Sequence, residues 1–397
     1  MSRGERNDQL KRRELLSLLG GAALSPFAAS LLHAEPSDRC GIPLERNDGL
    51  PLAAADEDKL IDRAALCRMA DRLASSTNIH SVLVMRGGRL VFERYLRGDD
   101  EVPGHVFGRR VVNIAFAADT LHDIKSATKS ITSLAFGIAL DRGLIGRLNQ
   151  PIFDFFPELS DLRTPEKDKM LLSNVLTMSM GLKWEEATPE TGNFHNDERR
   201  MYTTWDPCRY VLGLPVTAPA GEVFFYNSGA LMLLSEVLRK ATKQPLDEFV
   251  REALFQPLGI TSFEWGHYRG YTDAGGGLRL RTRDMARIGQ LVLAGGNWNG
   301  RQIVSKAWID ASTAWRLKAD EYQSYGYLWW LGSVRAGKRV VTWIGALGRG
   351  GQTIRIVPEL NLIVAVTAGY YQDYSEDAFK TQFSVFRDVV RAVPQAG

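Results

Sequence analysis

Charge of one sign is what this 397-residue chain most lacks: 49 Lys and Arg stand against 46 Asp and Glu, a formal net of +3. Residues 1–34 hold five of the basic and three of the acidic side chains, a net of +2, so about +1 is left for the rest. A near-neutral surface offers no basic field for nucleic acid or for an anionic membrane. Cysteine is nearly as scarce. Cys40, Cys67 and Cys208 have no paired metal-ligand spacing and allow at most one disulfide, leaving one thiol over. His80, His105, His122, His195 and His267 are scattered without a His-Glu-x-x-His cluster, which argues against a catalytic zinc site. The nucleophile-elbow pattern Gly-x-Ser-x-Gly is missing, which counts against an α/β-hydrolase. No repeat of fixed period is present. Long apolar runs are also missing, except from Leu15 to Leu32, where Gly20-Gly21, Ser25-Pro26 and Ser30 leave the run weakly hydrophobic for a membrane-spanning helix. Arg12-Arg13 stands before that run and Leu32-His33-Ala34 ends it, so residues 1–34 read as a twin-arginine export signal. The protein is expected in the periplasm or outside the cell, with no membrane anchor once the signal is removed. Asp38 and Arg39 before Cys40 do not suit a lipoprotein box.

What is present is ordinary globular composition, 45% hydrophobic and 24% charged, in a chain long enough for two packed lobes. A linker at residues 35–55 leads to a domain at 56–397, opening on a helix at 57–74 with Asp56 as N-cap. Ser81-Val-Leu-Val-Met and Leu90-Val-Phe-Glu-Arg-Tyr flank Arg86-Gly87-Gly88, which is hairpin chemistry. Helices are expected at 126–141, 171–177, 230–241 and 245–254, then strands at 325–331, 339–344, 352–357 and 361–367, and a closing helix at 375–393. Strands at both ends imply one sheet lobe, about 56–125 with 260–397, and a helical lobe inserted at 126–259. A cleft between lobes is a common location for a site. Gly332-Ser-Val-Arg-Ala-Gly-Lys338-Arg339 imitates a phosphate-binding loop, but Arg339 stands where Ser or Thr would hold Mg²⁺, so it reads as a hairpin.

Ser126-Ala127-Thr128-Lys129 is the one Ser-x-x-Lys in the sequence. Residues three apart share a helix face, roughly 5 to 6 Å between Cβ atoms, so the Lys129 amine can reach the Ser126 hydroxyl. A serine hydroxyl becomes a competent nucleophile when a neighbouring base takes its proton. Downstream, Ile131, Leu134, Ala135, Ile138 and Ala139 recur at helical spacing, marking a buried helix that Gly143 and Gly146 end. A lysine in the first turn of such a helix sits at the unfavourable end of the macrodipole, so a structural purpose is hard to find for it.

Two more clusters stand out. Phe224-Phe225-Tyr226-Asn227-Ser228-Gly229 precedes a helix and can either turn a phenol toward a cleft or simply cap and pack that helix. Gly345-Ala346-Leu347-Gly348-Arg349-Gly350-Gly351-Gln352 either lets a ligand approach backbone N–H groups or forms a hairpin turn. In this order, with Leu176-Thr-Met-Ser-Met-Gly-Leu-Lys-Trp184, Gly275-Gly-Gly-Leu, Thr282-Arg-Asp-Met and Tyr325-Gly-Tyr-Leu-Trp-Trp330, the clusters resemble the serine hydrolases of the class C β-lactamase and penicillin-binding superfamily. The resemblance runs from about Ile79 to the C-terminus, and Tyr226-Asn-Ser-Gly with Gly348-Arg-Gly-Gly-Gln is most similar to the branch of 6-aminohexanoate-dimer hydrolases and related esterases.

The resemblance implies an α/β (α+β) fold of β-lactamase/transpeptidase type: an antiparallel sheet from N- and C-terminal segments, flanked by helices, with a mainly helical lobe inserted. It implies Ser126 as acylated nucleophile, with Lys129 and Tyr226 moving protons, either one the base of acylation. The N–H groups of Ser126 and Arg349 would form the oxyanion hole. Trp184, Asn227, Ser228 and Gly348 would contact substrate, as would the 195–198 loop if it reaches the pocket. No cofactor or metal is implied, and the partner is a small ester or amide. Two departures matter. Tyr226-Asn227-Ser228 replaces the Tyr-x-Asn of β-lactamases, and Ala346-Leu347-Gly348 replaces Lys-Thr-Gly, removing the cation that pairs with a substrate carboxylate. Lys338 or Arg349 could supply a substitute charge from another position. The competing readings are a D,D-peptidase, D-amino-acid amidase or β-lactamase of the same chemistry, and a catalytically silent binding protein. Trp329 and Trp330, neighbours on an expected strand, would face opposite ways, so at most one lines the site.

Overall fold

Eight strands, each antiparallel to its neighbours, form the main sheet in the order Leu317–Lys318, Gln323–Tyr325, Trp330–Ala336, Arg339–Gly348, Gln352–Val357, Leu362–Ala368, Ile79–Arg86 and Arg89–Tyr95. The computed structural model describes residues 40–53, 60–74, 78–103, 109–186, 196–371 and 376–394. The C-terminal strand Leu362–Ala368 pairs directly with Ile79–Arg86, so the two ends of the chain meet inside one sheet. Both central strands are buried on both faces, and their side chains alternate accordingly. Val82, Val84, Val364 and Val366 point to one side, where helices Arg63–Ala74 and Glu376–Ala392 supply Leu66, Met69, Val385, Phe386 and Val389. Leu83, Met85, Ile363 and Ala365 point to the other, against Met285, Ile288 and Val292 of helix Thr282–Leu293 and Ile131 and Leu134 of helix Thr128–Asp141. A hairpin of Arg97–Pro103 and Arg109–Ala115 stands outside the main sheet. The elements from Thr128 to Phe255 are helical, joined by isolated bridges and turns.

Several sequence expectations need correction. Residues 40–53 of the expected linker are docked: Leu50 is buried, Leu52 bridges Leu90, and Cys40 is disulfide-bonded to Cys67. Asp48 explains why, since it receives Arg283 at 2.8 Å and lies 3.3 Å from Arg287, two buried guanidinium groups of helix Thr282–Leu293. The first helix begins at Arg63; Asp56, its expected N-cap, lies outside the described residues, as do the signal segment and Ser375. The expected strand at 325–331 is interrupted, because Leu328 takes a left-handed φ of 63° and turns the chain between Gln323–Tyr325 and Trp330–Ala336. Residues 246–255 are helical but widen into a π-helical turn at Arg251–Phe255. Gly345 to Gly348 are strand, not loop, and only residues 349–351 turn before Gln352–Val357.

Candidate active site

Ser126 sits one step ahead of the helix in which the sequence placed it. It is the middle residue of a 3-10 turn, Lys125–Ala127, and the α-helix proper is Thr128–Asp141. The tightening has a local cause: Lys125 adopts φ 50°, and its N–H donates to the Asp123 carboxylate at 2.8 Å. Every residue from Thr128 to Ala139 is buried. The polar ones are satisfied by surrounding backbone, Ser130 Oγ donating to Leu328 O and Ser133 Oγ to Tyr327 O, each at 2.7 Å, and Thr132 Oγ1 to Ala274 O at 3.1 Å. The helix is therefore fixed along its length, and the half-buried Ser126 at its head is fixed with it.

Lys129 extends from the first turn to Ser126 Oγ at 2.9 Å and to the Gly275 carbonyl at 2.7 Å. That carbonyl is aimed by Asp273, whose Oδ1 accepts from the N–H of Gly275 at 3.0 Å and of Gly276 at 3.2 Å. Tyr226 faces Ser126, whose hydroxyl favours the ionised form of the phenol. The Lys129 Nζ lies 5.0 Å from the centre of the Tyr226 ring, so serine, amine and phenol meet at one point. Trp330 stacks on Tyr226 at 6.1 Å, and Phe224 and Tyr325 pack against Trp330, bracing the phenol from behind. Burial is the largest influence on both titrating groups, and it moves them in opposite directions. It pushes the Lys129 amine down against the pull of Glu186, Glu198 and Asp273. It pushes the Tyr226 hydroxyl far up, with the Glu186 charge adding to it. Burial thus disfavours the charged form of each group, the ammonium of Lys129 and the phenolate of Tyr226.

Three carboxylates face this centre: Glu198, from the 195–198 segment, and Glu186 and Asp273, which the motifs did not single out. Glu186 Oε2 accepts from the Ser228 N–H at 2.6 Å and Oε1 from Ser228 Oγ at 2.8 Å, while the Trp184 Nε1 also donates to Oε2 at 2.6 Å. Glu198 belongs to helix Asp197–Thr203, capped by Asn196, whose Oδ1 accepts from Arg199 N at 3.0 Å. Burial raises the Glu198 carboxyl to about 7, the Glu186 charge adding to the rise and Lys129 opposing it. Asp273 is also raised by burial, and its charge acts on Tyr202. The 195–198 segment thus brings Glu198 to the site, while His195 lies outside the described residues. A faint signal for Asp273 did exist, an Asp two residues before a triple glycine, a common way of folding a tight backbone loop.

The remaining residues singled out in the sequence divide. Trp184 is 2% exposed and packs on Gly229, where an added Cβ would stand 2.8 Å from its ring, so it backs the Tyr226 loop from the core. Asn227 is buried and accepts from Ala230 N at 3.2 Å; Ser228 is buried and committed to Glu186. Gly348 lies against the nucleophile turn: a side chain there would collide with the Ile124 carbonyl and stand 3.2 Å from Ala127 N. This brings Arg349, the next residue, beside the site, and its charge acts on Tyr226 and Glu198. Ala346, in the position of the family's lysine, is wholly buried in the core. Lys338 lies in the turn at the opposite end of strand Arg339–Gly348, ten residues long, and takes no part. Trp329 is fully buried, leaving Trp330 as the tryptophan at the site.

A family profile described as beta-lactamase matches residues 69–381. Among curated proteins, the 6-aminohexanoate-dimer hydrolase of Paenarthrobacter ureafaciens is 24% identical over 335 residues, covering 78% of each chain. A solved structure titled "Putative 6-aminohexanoate-dimer hydrolase from Bacillus anthracis" superposes with a TM-score of 0.67 at 20% identity, covering 90% of each chain. A penicillin-binding protein homolog from Caulobacter crescentus superposes at 0.58 with 17% identity, covering 80% of this chain and 93% of that one.

Proposed function

The chain belongs to the beta-lactamase family of serine hydrolases, with that family's sheet-and-helix fold, and from that premise we propose that it cleaves an ester or amide through an acyl-enzyme on Ser126. The observation that carries the reading is the position of Lys129: a buried amine, shifted toward its neutral form, 2.9 Å from the only Ser hydroxyl in a Ser-x-x-Lys. In the proposed reaction the Ser126 Oγ bonds to the substrate carbonyl carbon while its proton passes to Lys129 Nζ. The carbonyl becomes an oxyanion, which the N–H groups of Ser126 and Arg349 receive. As the carbonyl re-forms, the bond to the leaving group breaks. The departing oxygen or nitrogen takes a proton from the Tyr226 hydroxyl, which regains one from Lys129. Water then repeats the sequence on the acyl-enzyme and frees Ser126.

Glu186, Glu198 and Asp273 surround the Lys129 amine with carboxyl groups, and the core residue Ala346 stands where the resemblance would put a cation. Both features favour neutral or cationic substrates over carboxylates. The curated relative named for hydrolysing a 6-aminohexanoate dimer makes linear amides the first panel beside simple esters. The test is hydrolysis of p-nitrophenyl acetate and butyrate and of linear amides by the protein from residue 35 onward. Ser126→Ala should lower turnover at least about a thousandfold. Retained turnover in the variant overturns the assignment, and nitrocefin hydrolysis as efficient as ester hydrolysis overturns the substrate reading. Export is part of the proposal: Arg12-Arg13 with its following apolar run, and the Cys40–Cys67 disulfide, suit an oxidising compartment. Recovery of the full-length protein only in the cytoplasm, with both thiols reduced, overturns it.

A further inference from the structure

We infer that Lys125 and Tyr371 form a clamp that holds the two backbone donors of the oxyanion hole in register, which makes both of them positioning residues for the reaction. The inference rests on the acyl-enzyme reading above. Ser126 N–H and Arg349 N–H come from distant parts of the chain, one from a turn at a helix head and the other from a turn between two strands. Two donors stabilise one developing charge only if their separation is fixed before the reaction begins.

Lys125 immediately precedes Ser126 and holds the left-handed φ of 50°, which favours glycine and persists elsewhere only when the surroundings enforce it. The surroundings do enforce it. Its N–H is taken by Asp123 Oδ1 at 2.8 Å, its Nζ donates to Glu101 Oε2 at 2.8 Å and lies 3.2 Å from Asp123 Oδ2, and the same ammonium sits 4.8 Å above the Tyr371 ring. The side chain is only 13% exposed. With two carboxylates and a ring face engaging it, this ammonium serves the turn rather than acting as a second cation for substrate.

Tyr371 is the other jaw. Its hydroxyl donates to Asp100 Oδ1 at 2.9 Å and lies 3.2 Å from His122 Nε2; Asp100 in turn receives Arg279 at 3.0 Å. The ring is thus anchored at its polar end in a buried network. Its edge meets the second turn: a Cβ added to Gly350 would stand 3.0 Å from Tyr371 Cδ1, and Tyr370 N donates to Gly350 O at 3.1 Å. One aromatic ring therefore touches the residue before Ser126 and the residue after Arg349. Gly350, at φ 85°, leaves room for that approach. Neither Lys125 nor Tyr371 hydrogen-bonds Ser126, Lys129 or Tyr226, so each acts on turnover through the placement of the two turns that carry Ser126 and Arg349.

The test compares Lys125→Met, Lys125→Arg and Tyr371→Phe with the wild type, using kcat and KM for p-nitrophenyl butyrate, the inactivation rate by a p-nitrophenyl alkylphosphonate, and Tm. The phosphonate reaction builds the same oxyanion without requiring deacylation. Lys125→Met and Tyr371→Phe should lower kcat and the phosphonate rate together, by about 10- to 100-fold, with KM within about twofold. Lys125→Arg should restore most of the loss, because a guanidinium can meet both carboxylates and the ring. Tyr371→Phe removes one oxygen and leaves the ring, which keeps a folded variant available if Lys125→Met unfolds. Loss of less than about threefold in kcat and phosphonate rate, with Ser126 still essential, overturns the clamp alone. So does a loss that follows Tm and leaves the phosphonate rate of the folded fraction unchanged. Turnover that survives Ser126→Ala overturns the acyl-enzyme reading instead, so the two failures are distinguishable.

Discussion

Glu198→Gln should stabilise the protein at alkaline pH and leave it unchanged in acid. The folded chain holds the Glu198 proton to about pH 7, chiefly through burial and then through the Glu186 charge, whereas an unfolded chain releases it near 4.5. Between those values the folded state binds the extra proton, so this group makes stability fall as pH rises from about 4.5 to 7. At about 1.4 kcal/mol per pH unit the ceiling is about 3 kcal/mol, and the partial solvent access of Glu198 reduces that to about 1 to 2. Lys129 attracts the Glu198 charge and is already counted, since the net shift remains upward. Urea denaturation of wild type and variant at pH 4.5 and pH 8 reads the effect as a difference of differences, which cancels the groups remote from Glu198 and keeps its coupling to Glu186 and Lys129. The variant should gain stability relative to wild type only at the higher pH. An advantage that is the same at both values, or a variant less stable at pH 8, refutes the reasoning and means that the Lys129 attraction outweighs burial.

The same substitution should shift the rising limb of the kcat/KM profile to lower pH, since Glu198 is one of the charges that help Lys129 keep its proton; an unmoved limb would remove Glu198 from the field of the base. Tyr226→Phe should cost about 100- to 10,000-fold in kcat for substrates with poor leaving groups and less for p-nitrophenyl esters, whose leaving group needs no proton; equal losses on both would count against proton delivery. Arg355 is buried against Trp343, Phe383 and Phe386, its guanidinium pushed down to about 10 by burial alone. Arg355→Met should therefore be neutral or raise Tm, and a loss above about 1 kcal/mol would show that the ring contacts outweigh desolvation. Reduction of the Cys40–Cys67 bridge, which spans 27 residues, should cost up to about 3.5 kcal/mol by loop entropy, read as a drop in Tm under reductant that Cys40→Ser with Cys67→Ser reproduces.

The sheet was legible because its central strands are continuous β-branched runs and its hairpins carry glycine turns, both local signals. The meeting of Ile79–Arg86 with Leu362–Ala368 was expected from strand content at both ends of the chain. The break at Leu328 was not legible: a leucine at positive φ contradicts its propensity, and what holds it there is tertiary, its N–H donating to Leu176 O and its carbonyl accepting from Ser130. Ser126, Lys129 and Tyr226 could be named because two of them share one helical turn and the third stands in a short motif. Glu186 could not, and Glu198 only as part of the 195–198 segment, since a carboxylate in a loop reads as solvated until burial and neighbours are known. Asp48 was hidden for the same reason. Its partners Arg283 and Arg287 lie more than two hundred residues away, and no local pattern pairs them.

The docked 40–53 segment also decides what the sheet presents to other chains. Its backbone closes onto the last strand, Arg89–Tyr95, through Ala53 N to Leu90 O at 3.0 Å, Leu90 N to Pro51 O at 2.8 Å and Glu93 N to Gly41 O at 3.1 Å. A free outer strand is a template for edge-to-edge association, and here it is capped by the chain itself, with Pro51 lacking an N–H to extend the pairing. The opposite edge, Leu317–Lys318, is two residues long and carries a lysine, too short to recruit a neighbour. A variant begun at residue 56 would uncover the Arg89–Tyr95 edge and strip Asp48 from two buried arginines, and should self-associate where a chain begun before Cys40 stays monodisperse.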